Sequence, residues 1–512
     1  MMGGMIRDEV KKIIEGVVGG EAFLERPGNS DFGDYSTNVA LRMKVDARKI
    51  VAKLEVHPAF EKVEVAGPGF INFTLSKKIL LDELAEIIKK GARYGEIGVG
   101  KGEKVQVEFV SANPTGPLTV ANGRGGPFGD VLAGVLSKSG FNVERAYYIN
   151  DHGMQIEALG HSVLKDSEAV YKGGYIDELN KKNKGKDARE AGKAAAKYII
   201  ENLIRKTTDK LGIKYDEWAL ESEIYQSGLV DEVLDFLEKK GFFYEKDGAR
   251  WFKSSELGDT RDRVLVKKDG NKTYLAGDIA FHWRKFNEKK FTRVINVWGA
   301  DHHGDVAGLA AGVEAIGHKG KLETVLLQFV TILEKGEKKR MSKRAGVYVE
   351  MDELIEKVGA DATRFFFLQK SPDTHLNFDM DLAREQSNKN PVFYVQYAHA
   401  RICGILAKSG TVPDFRGLSL MKLTHLEELN LIRHLIKFPE IVEDIAKDYQ
   451  VQRLPQYSME LANAFHRFYE KCRVLDDENK ELSQARICLV KATKIVLKNT
   501  LDLMGIKAPE KM

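Results

Sequence analysis

The run Val107-Glu108-Phe109-Val110-Ser111-Ala112-Asn113-Pro114-Thr115-Gly116-Pro117-Leu118-Thr119-Val120-Ala121-Asn122-Gly123-Arg124 takes an apolar strand into a proline- and glycine-rich turn and then opens a helix. A chain with this junction is built around a sheet whose strand ends feed helix starts. A helix start presents unpaired backbone N–H groups and the positive end of the helix dipole, so the junction is a place for a nucleotide phosphate. Thr119 and Asn122 add neutral donors there, and Arg124 adds a cation nearby.

The rest of the chain fits that frame. From about 103 to 335, strand candidates alternate with amphipathic helices: Val105–Val110, Asn142–Ile149, Val264–Lys267, Arg293–Val297 and Thr324–Leu327. This is the rhythm of an α/β, doubly wound parallel sheet. A Lys/Asp-rich, largely helical stretch at about 158–258 reads as an insertion in that sheet domain, with Lys181–Lys186 as a surface loop. Residues 1–95 read as a small α+β unit, with helices near Ile6–Val17, Ala47–Lys53 and Lys77–Lys90. A strand pair there, Val63–Val65 and Phe70–Phe73, turns at Gly67-Pro68-Gly69. The expected domains are thus 1–95, 96–380 and 381–512, the last an all-α helical bundle carrying apolar residues at helical spacing, such as Leu429, Ile432, Leu435 and Ile436.

Three domains suit 512 residues at roughly 150 residues per domain. With 43% hydrophobic and 30% charged residues the chain reads as globular and soluble. It shows no apolar run of about 18 residues and no signal-peptide core at Met1–Asp8, so the cytoplasm is the expected compartment. Cys403, Cys472 and Cys488 are far apart in apolar segments and indicate neither a disulfide framework nor a zinc knuckle. The formal charge of +4 is mild, so any nucleic-acid contact must come from local basic patches.

Downstream of the junction stands Gly336-Glu337-Lys338-Lys339-Arg340-Met341-Ser342-Lys343-Arg344. The two segments together resemble the ATP-binding signatures of class I aminoacyl-tRNA synthetases, and the flanking residues resemble the arginyl-tRNA synthetase family. Asp31-Phe32-Gly33-Asp34-Tyr35-Ser36-Thr37-Asn38, Ala66–Asn72, Tyr147–Ile156, Asn390–Arg401 and Leu501–Ile506 carry that resemblance across essentially the whole length. It implies a Rossmann-type catalytic domain, an N-terminal domain that touches the tRNA corner and a helical anticodon-binding domain. It also implies arginine–tRNA ligation: ATP with Mg²⁺ and arginine give arginyl-adenylate, and the arginyl group then passes to the 3′ end of tRNA(Arg). The expected protein is a monomer with no membrane partner and no structural metal.

One departure stands at the centre of this resemblance. The family's first signature usually reads His-Val-Gly-His, and the matching positions here are Thr119-Val120-Ala121-Asn122. Thr and Asn still donate hydrogen bonds, but a methyl group stands where glycine lets adenine approach the backbone. The competing reading is therefore a tRNA-binding relative that has lost amino-acid activation.

Activation joins a carboxylate to the α-phosphate and needs positioning and charge neutralisation but no nucleophilic side chain. The resemblance assigns catalytic roles to Thr119, Asn122 and Lys343, with ATP also held by Ala121, Gly123, Asp301, Met341 and Ser342. For arginine, a planar guanidinium is read best by a fixed carboxylate with a second acceptor. Tyr274 and Asp278 lie four apart and share a face if a helix opens at Tyr274, whereas in isolation Asp278 would read as a helix cap. The family pattern adds Ser111, Asn113, Glu221 and His302 to the arginine site. His302 and His303 are adjacent, without a third ligand at zinc spacing, so no metal is assigned. In the helical domain Gln396, Tyr397 and Arg401 are the tRNA candidates.

Overall fold

A computed structural model describes residues 5–339, 349–410 and 420–512, and five parallel strands form its centre. In chain order these are β1 (Lys104–Phe109), β2 (Asn142–Ile149), β3 (Glu217–Leu220), β4 (Arg293–Gly299) and β5 (Leu322–Leu327). Their order across the sheet is β5-β4-β1-β2-β3, with Val297 of β4 opposite Phe109 of β1 and Ala146 of β2 opposite Glu108 of β1 and Glu217 of β3. The order reverses beside β1, so the crevice at the C-terminal ends of β1 and β4 is the topological switch point where open α/β sheets bind ligands. β1 is buried on both faces, as a central parallel strand must be.

Two strand expectations change. The stretch 158–258, read as a largely helical insertion, also supplies β3, the edge strand of the central sheet. Its four residues, Glu217-Trp218-Ala219-Leu220, are too few to show a strand period. Val264–Lys267 corresponds to Arg263–Val266, which leaves the central sheet and pairs antiparallel in a three-stranded sheet with Phe243–Lys246 and Ala249–Phe252.

The N-terminal unit places a three-stranded antiparallel sheet, Tyr35–Thr37, Phe70–Leu75 and Phe60–Ala66, beside helices Ile6–Val18, Ala47–Leu54 and Lys77–Lys90. The C-terminal region is helical, with Pro391–Lys408, Leu426–Leu435, Phe438–Asp448, Arg453–Lys471 and Lys480–Met504. A single apolar core runs from the N-terminal unit through one side of the central sheet into these helices. Polar contacts reinforce that junction: Arg26 grips Glu440 at 2.7 and 2.8 Å, and Arg433 meets Asp34 at 3.2 Å. A second core, with Tyr148, Val233, Phe281 and Val294, covers the other side of the sheet. The three cysteines are buried, and none is in a disulfide among the described residues. No helix among the described residues is long and apolar enough to cross a membrane.

Candidate active site

The turn after β1 is strained where the site begins. Val110 and Ser111 have φ of +69° and +38°, a region that a β-branched valine occupies only when its surroundings force it. The surroundings are visible. Ser111 Oγ donates to Glu108 Oε1 and accepts the Tyr148 N–H, both at 3.0 Å. The Tyr147 hydroxyl donates to the Ala112 carbonyl and accepts its N–H, again at 3.0 Å. Asn113 Oδ1 accepts from Asn150 Nδ2 at 3.0 Å, which fixes Asn113 at the mouth of the crevice.

A backbone strap holds the turn that follows. Met351 N–H donates to the Leu118 carbonyl at 2.8 Å and Val120 N–H to the Val349 carbonyl at 3.0 Å, with Thr119 bridged to Glu350. The short helix Val120–Gly123 follows. Gly123 is required there because a Cβ would overlap the Met351 sulfur. Thr119 Oγ1 donates to Asn122 Oδ1 at 2.8 Å, so the Asn122 amide keeps its N–H groups for another acceptor. Ala121 is exposed, and its methyl group meets solvent on the open side of this turn.

Arg124 is not the phosphate cation that its position suggests. It is 2% exposed and donates to four backbone carbonyls, those of Gln328, Thr374, Lys370 and Ser371, at 2.8 to 3.2 Å. Burial lowers it to about 10, which leaves it charged at neutral pH and committed to tying helix Gly125–Lys138 to the segment after β5. Met341, Ser342 and Lys343 lie outside the described residues. Asp301 and His302 stand exposed just past β4, with His302 Nδ1 3.4 Å from Asp305 and its ring beside Trp298.

The amino-acid end is deeper and charged. Helix Tyr274–Trp283 begins at Tyr274, so Tyr274 and Asp278 are one turn apart as their spacing predicts. Thr273 occupies the cap position, and Asp278 sits a turn inside the helix, which excludes the capping role. The Asp278 carboxylate makes no hydrogen bond among the described residues. Burial, then the charges of Glu108 and Glu221, push it up to about 8. Glu221 is 3% exposed, and burial and Asp151 push it up to about 7. Asp151 is itself fixed by the Ser222 N–H at 2.8 Å and hydroxyl at 2.7 Å. Gly277 lets Glu221 close on the helix, since a Cβ there would lie 3.1 Å from Glu221 Oε1 and 3.4 Å from the Tyr225 hydroxyl. The Tyr148 ring stacks on Phe281 at 4.4 Å and brings its buried hydroxyl toward Glu221. Tyr274 is half exposed at the rim.

Two carboxylates held together in a desolvated pocket, each inclined to keep its proton, are an unfinished arrangement. A guanidinium would complete it, because a planar cation with five donors satisfies both acids and offsets the cost of their burial. Asp278, Glu221 and the Tyr274 rim thus converge, Ser111 and Asn113 come from β1 on the facing wall, and His302 lies farther out on the solvent side. Sequence reasoning missed Glu108, an acid inside an otherwise apolar strand. It also missed the pairing of that acid with Lys285, for which the only signal was a lysine spaced four residues from Phe281 on an apolar helix face.

Away from the crevice, Gln396 is engaged within the fold: its amide donates to Asp361 and to the Lys507 carbonyl, both at 2.9 Å. Tyr397 and Arg401 line an open groove of about 1000 Å³ with Lys408, Tyr469, Arg473 and Lys511. Arg401 lies over the rings of Tyr397 and Tyr469 at 4.7 and 5.4 Å.

Family models match three segments of the chain: "Arginyl tRNA synthetase N terminal domain" at residues 4–75, "tRNA synthetases class I (R), catalytic domain" at 164–379 and "DALR anticodon binding domain" at 395–512. The arginine–tRNA ligase of Carboxydothermus hydrogenoformans is 43% identical over 96% of this chain and 94% of its own length. That of Caldanaerobacter subterraneus subsp. tengcongensis is 44% identical over 99% and 96%. The chain belongs to the arginyl-tRNA synthetase family. The fold agrees: arginyl-tRNA synthetase from Thermus thermophilus superposes with a TM-score of 0.78 at 22% identity, covering 99% of this chain and all of the other.

Proposed function

We propose that this chain is an arginine–tRNA ligase that works on free arginine, ATP and tRNA(Arg). The observation that carries the reading is the Asp278–Glu221 pair in the switch-point crevice: Asp278 is partly buried and pushed up to about 8, Glu221 is buried and pushed up to about 7, and neither has an ion-pair partner among the described residues. Arginine enters with its guanidinium toward Asp278, Glu221 and Tyr274 and its α-amino and carboxylate groups toward Asn113 and Ser111. A lysine side chain cannot satisfy two carboxylates at guanidinium geometry, so the selection follows from the unpaired acids.

ATP lies across the Thr119–Gly123 turn, with Asn122 donating to phosphate and Ala121, Asp301 and His302 bordering the adenosine. An arginine carboxylate oxygen forms the bond to the α-phosphorus as the bond to pyrophosphate breaks. Met341, Ser342 and above all Lys343 neutralise the departing pyrophosphate. The terminal ribose hydroxyl of tRNA then takes the arginyl group and AMP leaves. Mg²⁺ is carried in on the nucleotide's own phosphates, since no group of three or more acidic, His or Cys side chains among the described residues is placed to hold a metal. The groove at Tyr397 and Arg401 suits splayed anticodon bases and phosphates, with Gln396 behind it bracing the C-terminal tail. We take the enzyme to be a cytoplasmic monomer with domains at 1–95, 96–380 and 381–512, and activation to require bound tRNA.

The second reading, a tRNA-binding relative without activation, is favoured by the Thr-Val-Ala-Asn signature alone. One assay separates the two: attachment of labelled arginine to total tRNA with ATP and Mg²⁺, run beside Lys343→Ala. Charging that collapses in the variant supports the ligase, whereas tRNA binding without charging supports the relative.

A further inference from the structure

The helix that carries Tyr274 and Asp278 does not end in ordinary winding. After Trp283 it continues as a π-helical turn, Arg284–Glu288, the wider form that recurs at functional sites. Cations from this turn and from the residue after it reach across the central sheet. Arg284 meets Glu217 of β3 at 2.9 Å, Lys289 meets Glu144 of β2 at 3.0 Å and Glu217 at 2.6 Å, and Lys285 meets Glu108 of β1 at 2.5 Å. The first three contacts are partly solvated. The last is not: the Lys285 side chain is 0% exposed and that of Glu108 is 5% exposed.

Glu108 has two jobs at once. Its Oε2 takes the Lys285 ammonium, and its Oε1 takes the Ser111 hydroxyl that pins the strained turn after β1. After burial it contributes the largest like-charge effect on Asp278, and Lys285 opposes that effect. Other groups face Asp278 as well: Tyr148 from β2, Glu221 and Tyr225 from helix Glu221–Gln226, Asp305 from helix His303–Ala315, and His282 from its own helix. On the remaining neighbours, Arg263 is paired with Asp259 and Asp231 with Lys272. Among the described residues Lys285 is therefore the cation that pairs with Glu108 and opposes the charge at Asp278.

Building on the proposed function, we propose that Lys285 is a positioning residue for arginine recognition: its ammonium pairs off Glu108 and ties the guanidinium-reading helix to the strand end that carries Ser111 and Asn113. Without that ammonium, the Glu108 charge bears unopposed on Asp278, which holds its proton more firmly, and arginine must displace that proton to bind.

The test is the arginine KM and the ATP KM of the full-length enzyme in tRNA charging, from pH 7 to pH 9, for wild type, Lys285→Met and Lys285→Met/Glu108→Gln. Lys285→Met raises the arginine KM about tenfold at pH 7, the equivalent of roughly one pKa unit, and the deficit shrinks toward pH 9. The ATP KM stays within about twofold, because the lysine faces the acid pocket and not the nucleotide turn. Adding Glu108→Gln removes the pH-dependent part of the deficit. A loss that is the same at every pH, an equal loss toward ATP, or no loss overturns the proposal. If Lys285→Met does not fold, Glu108→Gln carries the test: it leaves the ammonium unpaired beside the pocket and raises the arginine KM, and adding Lys285→Met relieves it because a neutral pair replaces a buried ion pair. Failure of that relief overturns the proposal equally. Absence of arginine charging by the wild type would instead overturn the proposed function on which this rests.

Discussion

Under the proposed function the crevice has an amino-acid end and a nucleotide end, and the two are built on opposite plans. At the amino-acid end, carboxylates are buried, short of partners and inclined to keep their protons, and the elements that hold them are locked by an internal ion pair and stacked rings. At the nucleotide end, the contacts come from neutral side chains and backbone: Thr119 orients Asn122, Ala121 faces solvent, and a backbone strap from Val349 to Met351 supports the turn. The contrast separates two problems. Telling arginine from lysine requires desolvated charge, because the penalty for the wrong occupant is an unpaired buried acid. Holding a triphosphate requires donors and mobility, because charge moves along it as pyrophosphate leaves.

Variants can break or sharpen that contrast. The largest effect is expected from Asp278→Asn, which removes the acid but keeps the shape: kcat/KM for arginine in tRNA charging falls by about 10³-fold or more, with the ATP KM little changed. Lys343→Ala lowers kcat by about 10²- to 10³-fold while leaving the arginine KM within about twofold, the mirror image of the first variant. Asn122→Ala raises the ATP KM by roughly 10- to 100-fold, the cost of one hydrogen bond to a charged group. Raising the pH from 7 to 8.5 lowers the arginine KM by about tenfold and leaves the ATP KM nearly flat. Carboxyls raised to about 7 and about 8 are protonated below those values, so arginine affinity is complete above pH 8 and is lost as the pH falls through that range. The smallest effect belongs to Thr119→Val, at about threefold on the ATP KM, since Thr119 acts through Asn122. Equal sensitivity of both substrates to these changes would erase the contrast.

Most of the architecture was legible because it is written in local patterns. β1, with Val105, Val107 and Phe109 buried, reads as a central strand, and the helices near Ile6, Ala47 and Lys77 end within a residue of their expected limits. What failed was short or displaced. β3 has four residues and no period, and Arg263–Val266 has the composition of a core strand but pairs outside the central sheet. In the site, spacing placed Tyr274 and Asp278 one turn apart on one helix, as the fold shows, whereas Glu221 was named by resemblance alone. Arg124 misled because one residue's direction off a helix start is a tertiary fact: its guanidinium points inward to four carbonyls. Glu108 and Lys285 were invisible for the same reason, since 177 residues separate two partners that meet only after the sheet is assembled.

The strap between Leu118–Val120 and Val349–Met351 also has a kinetic meaning. Val349 is fixed by accepting the Val120 N–H, and Lys343 stands six residues before it in sequence. On the other side Lys339 is fixed by its N–H on the Ile332 carbonyl and by its ammonium on Glu353, four residues from Lys343. Under the proposed function Lys343, which lies between these two fixed points in sequence, meets the triphosphate intramolecularly, at an effective concentration set by chain length and not by diffusion. Lengthening the segment between Lys343 and Val349 dilutes that cation without altering a single contact at either end of the crevice.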